Sequence, residues 1–527
     1  MTNLTPEQRT LGRNNANEAI GSTRRDFLKL AATAPLLGAF YFGYGKLNGK
    51  PVKAAIIGTG NEGCGAMIHD HNRDYVNFIG YCDIRPSNQV RAVKEFTNHK
   101  DYTEADVKAL KKYADVKEML ADKEVEVVVI ALPLWLHAPV AIDAMKAGKH
   151  VFCEKLMAHN VAECKEMVKV AHETNRLLAI GHQRHYSVLY DNANHLLQQN
   201  QLGEIRHIRA LWHRNNARPL VEKDTAGKPI YESSGEPRYV RDKAGNIQYQ
   251  DSWKPPIPAE DLGVDYAKHG YKSVEELVRW RLSNRTGAGL MAELGSHQLD
   301  ACSIFLGKKH PFAVTGIGGT FFYTDGREVD DHVFVSFEFP GKSFDPATRK
   351  DKGDHVVVTY SSINTNSFEN YGETIYGSKG TMIVEGEKEI LLYSEAGNAA
   401  TSRSTAISVE TKAGGKPVIE ASASTAGPSA AASLGGLAVA DPSRGYREEL
   451  EHFAFCVRNG DSKNYHEDKE HLPRCRGEVA LADAVIALTS NLAMKEKRRV
   501  EFEEAWFDWK SPEVPKTQGT GGVAQRG

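Results

Sequence analysis

Three groups of residues have the types and spacing for chemistry. The first is the loop Gly58-Thr59-Gly60-Asn61-Glu62-Gly63, which follows the apolar run Val52–Ile57 and opens a helical pattern. Glycines so spaced let a backbone turn tightly and approach a pyrophosphate, while the helix start offers unpaired N–H groups and a positive dipole end. Asp83, twenty residues past Gly63, ends the next apolar run. Its carboxylate can accept both ribose hydroxyls, which favours NAD. Arg85 could pair with a 2′-phosphate instead, which keeps NADP open. The second group is Lys155 with Glu154, at the end of the run His150–Cys153, on the rim where parallel sheets hold ligands. The third is Glu293, His297 and Asp300, spaced four and three apart. On a helix they share a face, and a carboxylate there can orient an imidazole acting as general base.

The runs Ala131-Leu132-Pro133-Leu134-Trp135-Leu136-His137 and Gly148-Lys149-His150-Val151-Phe152-Cys153-Glu154-Lys155 resemble the Gfo/Idh/MocA oxidoreductase family. That family has a Pro-x-x-x-His turn after one strand and Glu-Lys-Pro after the next. Trp280-Arg281, Gly287-Ala288-Gly289 and the stretch from Glu293 to Asp300 look like its substrate-side helix. The stretch Ile180–Tyr186 is similar to its interdomain junction, as found in glucose–fructose oxidoreductases. The match covers about Val52–Arg209, Glu275–Val384 and the closing helices.

The resemblance implies an NAD(P)-dependent enzyme that oxidises a secondary alcohol of a sugar or polyol. Lys155 would hold the substrate hydroxyl and lower its pKa, and His297 would take the proton, oriented by Glu293. Asp300, His185 and Tyr186 would reach the substrate. Pro133, His137, Glu154, Trp280 and Arg281 would line the cofactor side, with His137 bonding the turn near the nicotinamide. The chain departs from the family at Glu293, where Asp is usual, and at Leu156, where Pro is usual. The second departure bears on the backbone after Lys155. Family members commonly pair through an open sheet, so a homo-oligomer is expected. Two other functions fit part of the pattern. A redox-neutral NAD-dependent glycosidase usually lacks the Glu154-Lys155 pair, and a non-catalytic sugar-binding protein would not need the whole Lys/Glu/His/Asp set.

The elements that must position these residues follow from periodicity. From Val52 to about Ile180, strand-like runs alternate with helical patterns, the signature of a doubly wound parallel sheet of Rossmann type over residues 51–180. Residues 181–510 read as an α+β domain whose sheet is open and mostly antiparallel, with strands alternating from Ala313 to Tyr393. Within it, 215–272 reads as a surface insertion and 396–443, rich in Ala, Ser and Gly, as a mobile loop. The tail 511–527 reads as disordered, and no internal repeat is apparent.

Residues 1–50 carry a different signal. Ser22-Thr23-Arg24-Arg25-Asp26-Phe27-Leu28-Lys29 precedes an apolar run from Leu30 to Tyr44, the pattern of a twin-arginine export signal. It implies the twin-arginine translocation machinery as a partner and a periplasmic or exported location. The run is shorter than the roughly 20 residues of a comfortable span, and no Ala-x-Ala cleavage site follows. With so short a link to Val52, the segment could stay as a membrane tether. The 527 residues carry a net charge of −2 without a basic stripe, which excludes a nucleic-acid partner. Seven scattered cysteines, without a Cys-x-x-Cys, suit a protein folded in a reducing compartment before export and argue against disulfides or zinc. The run Tyr465–His471 suggests metal by composition only; its spacing reads as a solvated charge run, so no metal is expected.

Overall fold

Five apolar runs and the dipeptide Lys111–Lys112 pair in parallel in the computed structural model. They are β1 (Val52–Ile57), β2 (Val76–Cys82), β3 (Lys111–Lys112), β4 (Val127–Ile130), β5 (His150–Glu154) and β6 (Leu178–Gly181), in spatial order 3-2-1-4-5-6. Every residue of β4, β5 and β6 is buried, as a sheet covered on both faces requires. The described residues are 4–30, 42–242, 245–345, 354–395, 406–411, 417–422 and 444–516, with side chains omitted over 21–30, 406–411 and 417–422.

The main helices are α1 (Pro6–Leu30), α2 (Pro86–Asn98), α3 (His137–Lys146), α4 (Val161–Thr174), α5 (Val188–Gln198), α6 (Ser296–Phe305), α7 (Tyr446–Asn459) and α8 (Gly477–Glu496). Asn160 begins α4 by accepting the Glu163 N–H at 2.9 Å, and Asn175 ends it in the left-handed conformation. The closing helix α7 returns to the first sheet, where Leu450, Phe453 and Ala454 pack on Ile56, Phe152 and Ala179. α8 lies between the domains, in one core with α4, α6 and the second sheet.

The second sheet holds β7 (Ile205–His213), β8 (Ala313–Gly319), β9 (His332–Pro340), β10 (His355–Ile363), β11 (Tyr371–Gly377), β12 (Gly380–Glu385), β13 (Glu389–Ser394) and the short β16 (Val500–Glu501). Its order is 13-12-11-7-10-9-8-16, antiparallel throughout except where β7 runs parallel to β10. One face packs on α6 and α8 through Val333, Val335, Phe337 and Phe339, which alternate along β9. The expected fold class is therefore the one observed. Between these sheets' strands in sequence, β14 (Ala406–Thr411) pairs with β15 (Pro417–Ser422) inside the stretch read as a loop, most of which lies outside the described residues.

Two regions differ from the sequence reading. The insertion contains repeated small ladders, at Lys223↔Pro229, Tyr231↔Pro237 and Arg241↔Ile247, each closed by a Gly N–H bonding back to Asp224, Glu232 or Asp242. At the N-terminus, residues 4–20 lie on the fold. Arg9 pairs with Glu385 and Glu389 at 2.6 and 2.7 Å, Arg13 with Glu389 at 2.7 Å, and Leu4 packs with Leu211, Ile383 and Leu391. Residues 31–41 of the apolar run, the arginine side chains at 24 and 25, and the tail 517–527 lie outside the described residues. Residues before that tail are ordered by contact: Lys165 Nζ donates to the carbonyls of Ser511 and Glu513 at 2.9 and 2.6 Å.

Candidate active site

The glycine loop is a cradle with two closed walls and one open side. Gly58 has φ +89°, and a Cβ there would stand 2.3 Å from the Ala131 carbonyl oxygen. A Cβ on Gly63 would stand 2.1 Å from the Gly58 carbonyl oxygen. Only glycine lets β1, its helix and β4 close so tightly. At Gly60 the nearest atom to a Cβ is Asn88 Nδ2 at 4.0 Å, so its backbone is open to a phosphate. The donor set fits a dinucleotide pyrophosphate. Thr59 is buried with its hydroxyl donating to Asn88 O, Asn61 accepts from Arg91, and Glu62 stays half-buried on the loop.

Asp83 is hydrogen-bonded within the loop. Its carboxylate accepts from Thr59 N at 2.7 Å, Asn88 Nδ2 at 3.0 Å and Arg85 N at 2.8 Å, fastening the loop itself. Burial raises its pKa against those hydrogen bonds. Arg85 Nε donates to Asp261 at 2.8 Å, a buried carboxylate reaching in from the insertion. That bond ties the guanidinium to the insertion through Nε.

Beyond the loop, Pro133 precedes the single turn Leu134–Leu136, and His137 begins α3. The two His137 ring nitrogens each lie 2.8 Å from a carbonyl, of Leu132 and Leu156, so the ring staples the turn after β4 to the residue after Lys155. The Lys155–Leu156 peptide bond is cis. Lys155 Nζ donates to the Glu293 main-chain oxygen at 2.9 Å, tying the sheet rim to the substrate-side helix. Glu154 is buried with Oε1 unpartnered among the described residues, and burial, then the charge of Glu62, pushes its pKa well up. Gly181 makes room for it, since a Cβ would stand 2.9 Å from that oxygen.

The third group divides. Glu293 sits in a π-helical turn, Met291–Gly295, just before α6. Its carboxylate accepts from Arg281 Nε at 2.7 Å instead of orienting His297, because a guanidinium bond to a carboxylate is stronger than one from a neutral imidazole. Burial opposes ionisation of Glu293, but Arg281, Lys155 and Arg214 outweigh it and hold its pKa at about 2. Arg281 also lies 4.2 Å over the Trp280 ring. His297 is buried, with Nδ1 unpartnered and the Trp212 ring 5.5 Å away. Burial, then the charges of Lys155 and Arg184, keeps its pKa well below the usual value, so the ring is a neutral base.

Asp300, His185 and Tyr186 are bonded to other parts of the protein at the domain junction. Asp300 is fully buried and accepts from His185 Nε2 at 2.9 Å and Lys308 Nζ at 2.7 Å. Lys308 also pairs with Asp483 at 3.3 Å. The Tyr186 hydroxyl bonds His452 at 2.8 Å and accepts from Arg474 N at 2.8 Å, inside an aromatic cluster with Phe42 and Tyr44. These three residues weld the domain junction to α6 and α7. Sequence spacing put Asp300 on the right helix face, but the partners that consume it come from distant segments.

Residues 52–182 match the model of the oxidoreductase family with an NAD-binding Rossmann fold, and residues 265–383 match the GFO/IDH/MocA C-terminal domain. The chain belongs to the Gfo/Idh/MocA oxidoreductase family. Inositol 2-dehydrogenase of Salmonella typhimurium is 29% identical over 160 residues, 29% of this chain and 43% of that protein. Glycosyl hydrolase family 109 protein 1 of Shewanella sp. is 27% identical over 166 residues, 31% and 35% of the two chains. These matches span about two fifths or less of the curated relatives' length. The inositol dehydrogenase homologue of Azotobacter vinelandii, crystallised with NADH and myo-inositol, shares the fold with a TM-score of 0.56 at 13% identity, over 87% of this chain and all of that one.

Several residues of this Gfo/Idh/MocA site escaped the sequence reading. Arg184 is fully buried, donating to Glu373 at 2.9 Å, Glu387 at 3.1 Å and the His297 main-chain oxygen at 2.6 Å. It lies in the quoted Ile180–Tyr186 stretch, yet an arginine between two histidines reads as surface charge. Trp212 and Arg214 close β7 and enter the insertion, and Glu449 on α7 has both carboxylate oxygens buried without a partner among the described residues. No spacing rule connects them to Lys155.

Proposed function

We propose that this protein is an exported NAD-dependent dehydrogenase that oxidises a secondary alcohol of a sugar or polyol. One observation carries the reading: Lys155 at the end of β5 bonds the Glu293 main-chain oxygen, four residues before the neutral, buried His297, in a chain whose glycine loop fits a dinucleotide. The nicotinamide, when bound, supplies the hydride acceptor. Lys155 has two N–H bonds left after its bond to Glu293 and can donate them to the substrate hydroxyl. His297 takes the hydroxyl proton as the carbinol C–H electrons leave. Glu293, held by Arg281, fixes the end of the lysine through its main-chain oxygen. The NAD-binding family model and the neighbour crystallised with NADH support NAD as the cofactor. The polyol named for the Salmonella relative supports the substrate class.

Export rests on the twin-arginine pattern, and the seven cysteines support folding beforehand, since all are buried free thiols. Outside the cytoplasm there is no pool to reoxidise released NAD, so the cofactor stays bound through the cycle. A homo-oligomer is supported by apolar side chains on the outer face of the second sheet, with Ile317 68% and Phe334 47% exposed and paired across β8 and β9.

The test is on the full chain purified from the periplasm. Denaturation should release about one NAD(H) per chain, and Lys155→Ala should lower turnover at least ~100-fold while retaining that nucleotide. Equal loss of both would leave Lys155 as a cofactor anchor only. The relative from glycosyl hydrolase family 109 favours a second reading, redox-neutral glycoside cleavage. Release of a chromogenic aglycone without net change in cofactor absorbance, lost in His297→Ala, would decide for it.

A further inference from the structure

The floor of the cleft beyond His297 is made by two adjacent parallel strands. β7 ends at His213; its Trp212 ring lies 5.5 Å from that of His297, and Arg214 and Asn216 follow directly along the chain. β10 keeps pace: Arg214 N donates to Ile363 O at 2.9 Å, and Asn216 N to Asn364 O at 2.8 Å. Asn364 is 1% exposed.

This strip is rich in polar atoms without partners. Nε and Nη2 of Arg214, Nδ2 of Asn216, and both ends of the Asn364 amide are buried and unbonded among the described residues. Arg214 is half-buried, but two of its guanidinium nitrogens are shut from water without an acceptor, a costly state that suits a group kept for something that arrives. The two acids nearest in charge are already engaged. Glu293 is held by Arg281 and Asp251 by Arg327, each at 2.7 Å. The guanidinium carbon of Arg214 lies 5.4 Å from the centre of the Trp253 ring. Lys155, Arg281 and Arg214 all act on the one Glu293 carboxylate, which bonds Arg281, while Nε and Nη2 of Arg214 keep no acceptor among the described residues.

We propose that Arg214 is the specificity residue for an anionic sugar, a pyranose bearing a carboxylate or a phosphoryl group, with Asn216 and Asn364 binding its neighbouring hydroxyls. The assignment rests on the dehydrogenase reading for the cleft's identity and extends it to substrate class. The guanidinium edge offers two parallel N–H bonds to an oxyanion, the geometry in which arginine discriminates best.

The probes are D-glucuronate, D-glucose 6-phosphate and neutral D-glucose, titrated against the full-length holoprotein with tryptophan emission as readout, since Trp212 and Trp253 flank the strip. One of the two anions should bind at least ~10-fold tighter than glucose, and which one does so distinguishes carboxylate from phosphoryl. Arg214→Gln should abolish that preference while leaving nucleotide content unchanged. If that variant fails to fold, Arg214→Lys serves: it keeps the charge, loses the fork and should weaken the preference. Equal binding of all three sugars, binding of neither anion, or an undiminished preference in the arginine variants would overturn the assignment. Nucleotide content and NAD reduction are read on the same preparation. A protein that prefers the anion yet never reduces NAD would sink the dehydrogenase reading and leave Arg214 assigned.

Discussion

At the scale of residues, charge competition decides which group does what. Glu293 and His297 have the spacing to pair, yet Arg281 takes the carboxylate at 2.7 Å and leaves the imidazole neutral. The pair has a testable consequence for acid stability. Glu293 has its pKa depressed from an ordinary 4.5 to about 2, so its contribution is fully present above 4.5 and is lost as pH falls towards 2. Arg281→Gln should remove about 1–2 kcal/mol at neutral pH, discounted for the part-exposed guanidinium, and should move the acid unfolding limb to higher pH. Urea melts across a pH series read both. Lys155 and His297 were legible because a strand end and a helical spacing are local facts. The true roles of Asp300, His185 and Tyr186 were not, since Lys308, His452 and Arg474 arrive from segments remote in sequence.

At the scale of elements, the glycine loop is where sequence and structure agree most closely. The walls at Gly58 and Gly63 are backbone atoms, which cannot rotate away as a side chain could. Gly58→Ala meets both a positive φ and the Ala131 carbonyl, so it should cost at least about 2 kcal/mol and empty the nucleotide site. The measurement is NAD(H) released per chain, beside the melting temperature. The parallel strands were readable because each is a short apolar run between turn signals. The ladders of the insertion were hidden because no hydrophobic periodicity marks strands two residues long. β3 escaped for the same reason, being Lys111–Lys112.

For the whole molecule, the N-terminal helix and the closing helices bind distant parts of the chain together. α1 crosses β13 most closely at Gly12, where a Cβ would stand 2.5 Å from the Tyr393 hydroxyl and 3.0 Å from Leu391 Cβ. Asn15 Nδ2 meanwhile donates to Leu392 O at 3.0 Å on the edge strand, which shields an edge that could otherwise pair with another chain. Gly12→Leu should displace the helix, and amide exchange over residues 6–20 should rise to the rate of an unprotected segment. Unchanged protection in that variant would mean the contact tolerates the added bulk. Neither the dock nor the aromatic seat of Phe42 and Tyr44 could be read from a stretch whose pattern is that of an export signal.

By itself the sequence determined the fold class, the glycine loop, and the presence of a lysine at a strand end and a histidine on the substrate-side helix. Those features depend on local spacing, which backbone geometry converts directly into shape. Tertiary structure alone decided that Asp83 fastens the loop, that Arg85 is locked by Asp261, that Asp300 is buried in the domain junction, and that Arg214 stands uncompensated in the cleft. Each outcome turns on which hydrogen-bond donor or acceptor comes within bonding distance after folding. In a buried, low-dielectric setting that distance outweighs any preference a residue carries along the chain.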